Sequence, residues 1–416
     1  MTDNKIKNII YSVFSFESVF VLFLFAGKYK NDPRFDWVPV DLTALFLLVS
    51  VVGGAWVFHK RGGTLRRPVL RLTGLFGLFL AYVALSYWWT PSNVYAFEKV
   101  GYLTILTFWP FLACAVIIGY RTERFQRFVV VLTILSVWFS LEAILAFVSS
   151  TIRGQQIEAL GITYLGLGRV IGPAAIVLLV YGTAVETRKW LRFLSVLLFG
   201  GFMIVLLLLG GRGPLLAAVL PVGLLFYYGL ELNLYRATVR VRRYVWPILL
   251  LVVAGGIAAV TFGSSEVLTT IKRFIILFES LGDSAEVRIR MYWDALRIWA
   301  ENPVFGGGVG SWPVLAGFGD RKMYPHNMIL EVLAEFGIFG LCLFAMPFVY
   351  AFRYLHRTAD LEQDPWALLG LMLFANALIN SMFTGDLPLN RYVFAFLGFL
   401  VARREKERYR SEHRVG

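Results

Sequence analysis

Long apolar runs, broken by short clusters of charge, dominate this chain. Lipid offers backbone N–H and C=O groups no water to bond. Runs of about 20 apolar residues therefore predict membrane-spanning helices, whose hydrogen bonds close within the segment. On this pattern about 12 spans are expected, at 9–27, 38–58, 72–89, 97–119, 128–150, 165–184, 191–210, 213–230, 245–262, 326–352, 366–384 and 389–402. The ten-residue alternating segments of an outer-membrane barrel are absent. The first run, from Ile9 to Ala26, follows Lys5 and Lys7; it is long for a signal peptide and reads as a span.

One interval breaks the pattern. Residues 263–325 look soluble and sit as a large loop between the ninth and tenth spans, within a single integral membrane domain over 1–416. Inside it, 285–301 predicts an amphipathic helix. Tyr292, Ala295, Leu296 and Trp299 form its apolar stripe, and Arg290, Asp294, Arg297 and Glu301 the opposite one. Arg290 and Asp294 are spaced to pair. Arg288 falls on the packed face, where a charge needs an anionic partner. The helix should stop at Asn302-Pro303.

Composition agrees with the pattern. Of 416 residues, 58% are hydrophobic and 16% charged, with mean hydropathy +0.67; soluble domains carry roughly a quarter charged residues. The net charge of +13 does not point to nucleic acid, because its distribution is the positive-inside one. Lys60, Arg61, Arg66, Arg67 and Arg71 share one side with Arg121, Arg124 and Arg127, then with Arg188, Lys189 and Arg192. Arg236, Arg240, Arg242 and Arg243, Arg353 and Arg357, and the basic tail from Arg403 continue that side. These loops are expected to be cytoplasmic, with both termini, which turns the 263–325 loop outward. Trp37, Trp88, Trp89 and Trp246 fall near span ends, as interfacial anchors do. Cys114 and Cys342 lie in apolar runs and read as small core residues.

Ionisable groups at membrane depth mark either a substrate path or a structural pair. Four arginines lie outside the cytoplasmic clusters: Arg169, Arg212, Arg288 and Arg391. A guanidinium fork suits phosphate, to which it donates two parallel hydrogen bonds. Snorkelling, or pairing with Asp386 or Glu279, is the alternative. The glycines around Arg212 suit a helix break, and Pro214 the first turn of the next helix. Of four histidines, His326 alone is expected to face outward, at the head of a span after Tyr324-Pro325. An imidazole there can take a proton from a sugar hydroxyl, or simply cap the helix. Gly306-Gly307-Gly308-Val309-Gly310 lacks the Gly-Lys-Ser/Thr of a P-loop and reads as a flexible loop. No metal-ligand spacing is found. Glu17 and Glu142, in mid-span, read as partnered structural carboxylates.

The segments Arg288 to Tyr292, Glu301 to Gly306 and Tyr324 to Asn327 resemble the core of the O-antigen ligase and polymerase superfamily. His326-Asn327, nine residues, Gly337, two residues and Gly340 match the pattern associated with the ligases, as does Arg212, three residues, Leu216. The motif region covers Arg212 to Gly340, and the span layout the rest. The resemblance implies a GT-C-like, all-α polytopic protein of the bacterial inner membrane, with an extracytoplasmic site. It also implies an undecaprenyl diphosphate-linked glycan as donor and the lipid A-core oligosaccharide as acceptor. No cofactor is expected, and no metal is needed if guanidinium groups hold the diphosphate. Arg212, Arg288 and His326 are the groups expected to be essential. Arg169, Arg290, Tyr324 and Asn327 are expected substrate contacts. A polymerase joining two lipid-linked repeats, a protein-glycosylating ligase and a lipid-linked glycan transporter are the competing expectations. The transporter expectation leaves His326 dispensable.

Overall fold

The computed structural model describes residues 15–149, 157–233, 238–241 and 283–402. Its helices, in chain order, begin with α1 (Phe16–Phe25), α2 (Leu42–Lys60) and α3 (Arg67–Trp88). They continue with α4 (Val94–Ile118), α5 (Thr122–Ser149), α6 (Tyr164–Val185) and α7 (Lys189–Leu208). Then come α8 (Arg212–Val219), α9 (Val222–Gly229), α10 (Asp283–Glu301) and α11 (Ser311–Leu315). The last are α12 (Met328–Thr358), α13 (Pro365–Ser381) and α14 (Arg391–Ala402). Among the described residues, α2 to α7 and α12, seven in all, are long and apolar enough to cross a bilayer. The shorter apolar helices fall where the eighth, eleventh and twelfth spans are expected. The expected ninth span, 245–262, and Trp246 lie outside the described residues. The architecture is consistent with a helical polytopic membrane protein.

The expected span 213–230 is not one helix. Pro221 has no N–H to donate and its ring clashes with the preceding turn, so α8 and α9 are separate. The chain then forms β1 (Leu230–Asn233), antiparallel to β2 (Thr238–Val241), with Leu230 opposite Val241. Pro110 is accommodated within α4, in a short α-helical stretch flanked by π-helical ones at Tyr102–Thr107 and Ala113–Ile118.

The chain divides into two compact units. The first draws on Met1–Gly53, Gln126–Tyr292 and Met372–Thr384; the second on Gly54–Phe125, Trp293–Leu371 and Gly385–Gly416. In the first, α6 packs on α7 and α8. Gly168 permits this, because a Cβ there would lie 2.5 Å from the Pro214 side chain. Asn376 donates to the Ala217 carbonyl at 2.8 Å. The mid-span carboxylates are partnered, as expected. Glu142 accepts from Arg34 at 2.7 Å and from the Trp138 indole at 3.0 Å, and Arg127 lies 3.8 Å from buried Glu17. In the second unit, α3 packs on α12 and α14, and α14 on α4. Phe76 stacks on Phe394, with ring centroids 4.9 Å apart. Cys114 is buried there, whereas Cys342 is exposed and not a core residue.

The feature that sets the geometry of the second unit is a break in α12. At Gly337 the backbone has φ 63 and ψ −167, a conformation essentially confined to glycine. The helical ladder fails there, and residues 303–308 replace it. Ile338 and Phe339 donate to the carbonyls of Pro303 and Val304 at 2.9 and 3.1 Å. Gly307 and Gly308 donate to the carbonyls of Ala334 and Glu335 at 3.0 and 2.8 Å. The Tyr82 hydroxyl lies within hydrogen-bond distance of two more carbonyls, those of Phe305 and Phe336, at 3.1 and 3.2 Å. Irregular backbone among apolar helices is tolerated when its polar groups are satisfied in this way. The glycine-rich stretch 306–310 is thus a docked plug. The flexible loop expected from its composition is corrected by these bonds.

Candidate functional site

His326 opens α12. Its backbone lies in the left-handed region at φ 59, which is uncommon for a residue with a Cβ. Pro325 before it is buried, and Asn327 after it is the N-cap of α12, accepting from Ile329 and Leu330 N–H at 3.0 and 3.1 Å. The capping role offered as the alternative for His326 therefore belongs to Asn327. The His326 ring packs edge-on against Tyr324, 4.7 Å between centroids.

Upstream, the turn is fixed by Asp320. Its carboxylate accepts from Ser92 Oγ at 2.6 Å and from the N–H groups of Asn93, Val94 and Tyr95 at 2.8, 2.8 and 3.1 Å. Desolvation alone would raise this acid. The Ser92 hydroxyl and the three N–H donors outweigh it and pull it from 3.8 to about 2. A folded-state value below the unfolded one stabilises the protein fully above about pH 4, and the effect is lost as pH falls toward 2. Asp320→Asn is expected to lower the thermal midpoint at neutral pH, and the gap from wild type should close as pH approaches 2. A gap independent of pH would show that the carboxylate charge is not what holds the contact.

The arginines belong to the first unit. Arg169, on α6, is buried and donates to the Thr384 carbonyl at 3.2 Å. Arg212 begins α8, with Pro214 in the first turn as its sequence suggests. The following residue, Gly213, lies against Phe383, 3.1 Å from where its Cβ would stand. Arg288 is half-buried on α10, one turn before Tyr292, whose hydroxyl reaches the Met382 carbonyl at 3.5 Å. Burial raises the Tyr292 phenol, and the Arg288 charge opposes that. Three arginine-bearing elements thus converge on one segment, 382–384.

α10 runs Asp283–Glu301 and ends before Asn302-Pro303, as expected. Its buried stripe is Met291, Ala295 and Ile298, with Arg288 beside it. This shifts the expected stripe by roughly one position. Arg290 is exposed, and the expected Arg290–Asp294 pair is replaced by Asp294–Arg297 at 3.4 Å. Asp386, one expected partner of Arg391, instead accepts from Tyr95 at 2.7 Å and lies 3.9 Å from Lys322. Arg391 itself is buried. Glu279 lies outside the described residues.

Sequence reading missed a buried ion cluster in the second unit. Lys99 on α4 lies 2.5 Å from Glu331 and 2.7 Å from Glu335, all three at most 1% exposed. A signal was present: Glu331 and Glu335 are spaced i, i+4 in an apolar run, and Lys99, beside Glu98, falls in another. Among the described residues, no group of three or more His, Cys, Asp or Glu is arranged to hold a metal ion.

Residues 193–345 match a protein-family model described as O-Antigen ligase. The matched segment includes Arg212, Arg288 and His326, and it supports the O-antigen ligase superfamily for this chain. No curated protein matches it.

Proposed function

From the O-antigen ligase match over residues 193–345, we propose that this chain is a glycosyltransferase that moves a glycan from undecaprenyl diphosphate to the lipid A-core oligosaccharide. The site faces the periplasm of a bacterial inner membrane, both termini are cytoplasmic, and 263–325 forms the large external loop of one membrane domain. That match carries the reading. The geometry adds the gathering of arginine-bearing elements at 382–384 and the left-handed backbone at His326, which belongs where function demands strain.

Nucleotide sugars are not supplied outside the cytosol, so the donor must arrive activated. Arg212 and Arg288 hold its diphosphate and offset the charge that develops as the anomeric C–O bond breaks. His326 takes the proton from the acceptor hydroxyl, whose oxygen forms the new bond to the anomeric carbon. Attack opposite the leaving undecaprenyl diphosphate inverts that carbon. Guanidinium groups supply the positive charge, and no metal takes part. Arg169, Arg290, Tyr324 and Asn327 line the substrate path, Asn327 through the amide nitrogen that its cap leaves over.

The test is purified protein in vesicles with lipid-linked glycan and lipid A-core. Glycan attached to core is expected. Lengthened lipid-linked glycan without attachment would make the chain a polymerase. Glycan on a pilin-type acceptor would make it a protein-glycosylating ligase, and movement without covalent transfer a transporter. In the same assay Arg288→Lys is expected to lose roughly 10²-fold in rate, because a point charge does not replace a bidentate fork. Full activity with lysine would reduce Arg288 to electrostatic steering.

A further inference from the structure

The turn that carries His326 is fastened at both ends to one helix. Six residues before His326, Asp320 takes the hydroxyl and N–H donors at the head of α4. Five residues after it, Glu331 pairs with Lys99, which lies on α4 little more than a turn below Tyr95. Between these anchors stand the left-handed backbone of His326 and the cap at Asn327. A strained residue keeps its conformation only where its surroundings over-determine it. Here two carboxylates and a single helix are among those surroundings.

The lower anchor is costly, because burying ions among apolar helices is expensive. The break in α12 does not require it, since backbone donors and acceptors at 303–308 close that break. The cluster gathers the other segments near the turn instead. Glu335 accepts from Gly310 N–H at 3.0 Å, and Glu331 from Leu387 N–H at 3.2 Å. Tyr95, whose N–H belongs to the upper anchor, donates its hydroxyl to Asp386. The glycine-rich plug, the 386–387 segment and the start of α12 are thereby indexed to the same helix that holds Asp320.

We propose that α4 is the template for the His326 turn, and that Lys99, Glu331, Glu335 and Asp320 are positioning residues for the transfer reaction. This rests on the reading that His326 serves that transfer. None of the four needs to touch substrate. Their contribution is to keep the imidazole within the small tolerance that a proton transfer requires, where about 1 Å of misplacement costs about 10²-fold.

The decisive variant removes the charges as a set: K99M, E331Q and E335Q together. Each glutamine keeps a carbonyl oxygen for the Leu387 or Gly310 N–H. Removing a buried ion set whole leaves no unpaired buried charge, unlike removing one member. A cluster that only glued helices together would then leave transfer unchanged. The template predicts a folded protein with wild-type KM for the lipid-linked donor and kcat lowered at least about 10-fold. Hydrogen exchange of the peptide 321–330 should also quicken by about 10-fold. Wild-type kcat in the folded variant overturns the proposal. Should the triple variant fail to fold, Asp320→Asn, at an exposed anchor, gives the same two readings, and unchanged kcat overturns it there. Wild-type protein in the same vesicles separates the two claims. If it transfers nothing, the functional reading falls, and unchanged exchange at 321–330 in the variant then refutes the template itself.

Discussion

His326→Ala is expected to lower glycan transfer roughly 10²–10⁴-fold, the range that a positioned general base contributes. Alanine confounds two losses, since it removes the imidazole and also tolerates φ 59 less well than histidine, which is enriched in the left-handed region. His326→Asn separates them. Asparagine tolerates the left-handed region and keeps a polar side chain, but it does not accept a proton at neutral pH. Both variants should fold, because the start of α12 is capped by Asn327 and held through Glu331. Both should bind donor and fail in the chemical step. A wild-type rate in His326→Asn would end the assignment of His326 as base, whatever alanine does. A loss confined to alanine would assign the effect to backbone strain.

The sequence made much of the fold legible, and physics explains where it stopped. Seven long helices fall on expected spans, because a bilayer leaves the backbone few choices and hydropathy reports that constraint directly. The amphipathic helix α10 and its stop at Asn302-Pro303 were legible for the same kind of reason: period 3.6 and a proline are local signals. The split between α8 and α9 at Pro221 was available and was overridden by the apolar run. The plug at 306–310 was not legible. Glycine-rich composition is the same for a mobile loop and for a segment that must approach another backbone closely, and only the partner at Gly337 distinguishes them. Lys99, Glu331 and Glu335 were visible as ions in apolar runs but lie 232 and 236 residues apart, so no spacing rule joins them. Of the candidate site, the arginines and His326 were found from their places along the chain and then matched to a motif. Their local settings came from the structure: the 382–384 segment below three arginine-bearing elements, and the two anchors around His326.

Gly337→Ala is expected to be among the most damaging single-methyl changes in the chain. A Cβ at Gly337 would stand 2.4 Å from the Val304 carbonyl oxygen, 2.5 Å from its carbon and 2.7 Å from the Gly306 nitrogen. All three are backbone atoms, so no side-chain rotation relieves the contact. They also belong to the strand of chain whose carbonyls receive Ile338 and Phe339 N–H. Backing away would break those bonds and strand the carbonyls of Ala334 and Glu335 among apolar helices, where each unsatisfied group costs about 1–3 kcal/mol. The dihedrals add their own penalty, about 1–3 kcal/mol for a side chain in a glycine-only region. Together these reach about 4 kcal/mol or more, a large part of the 5–15 kcal/mol that typically holds a domain folded. The expected result is little folded protein in detergent, or a thermal midpoint lowered by many degrees. Gly77→Ala and Gly200→Ala are the controls: both sit within helices with nothing within 4 Å of an added Cβ, and both should hold or slightly raise the midpoint. If Gly337→Ala melts with those controls, the break in α12 does not depend on glycine. Residues 303–308 would then not be what holds the two halves of α12 in their broken geometry.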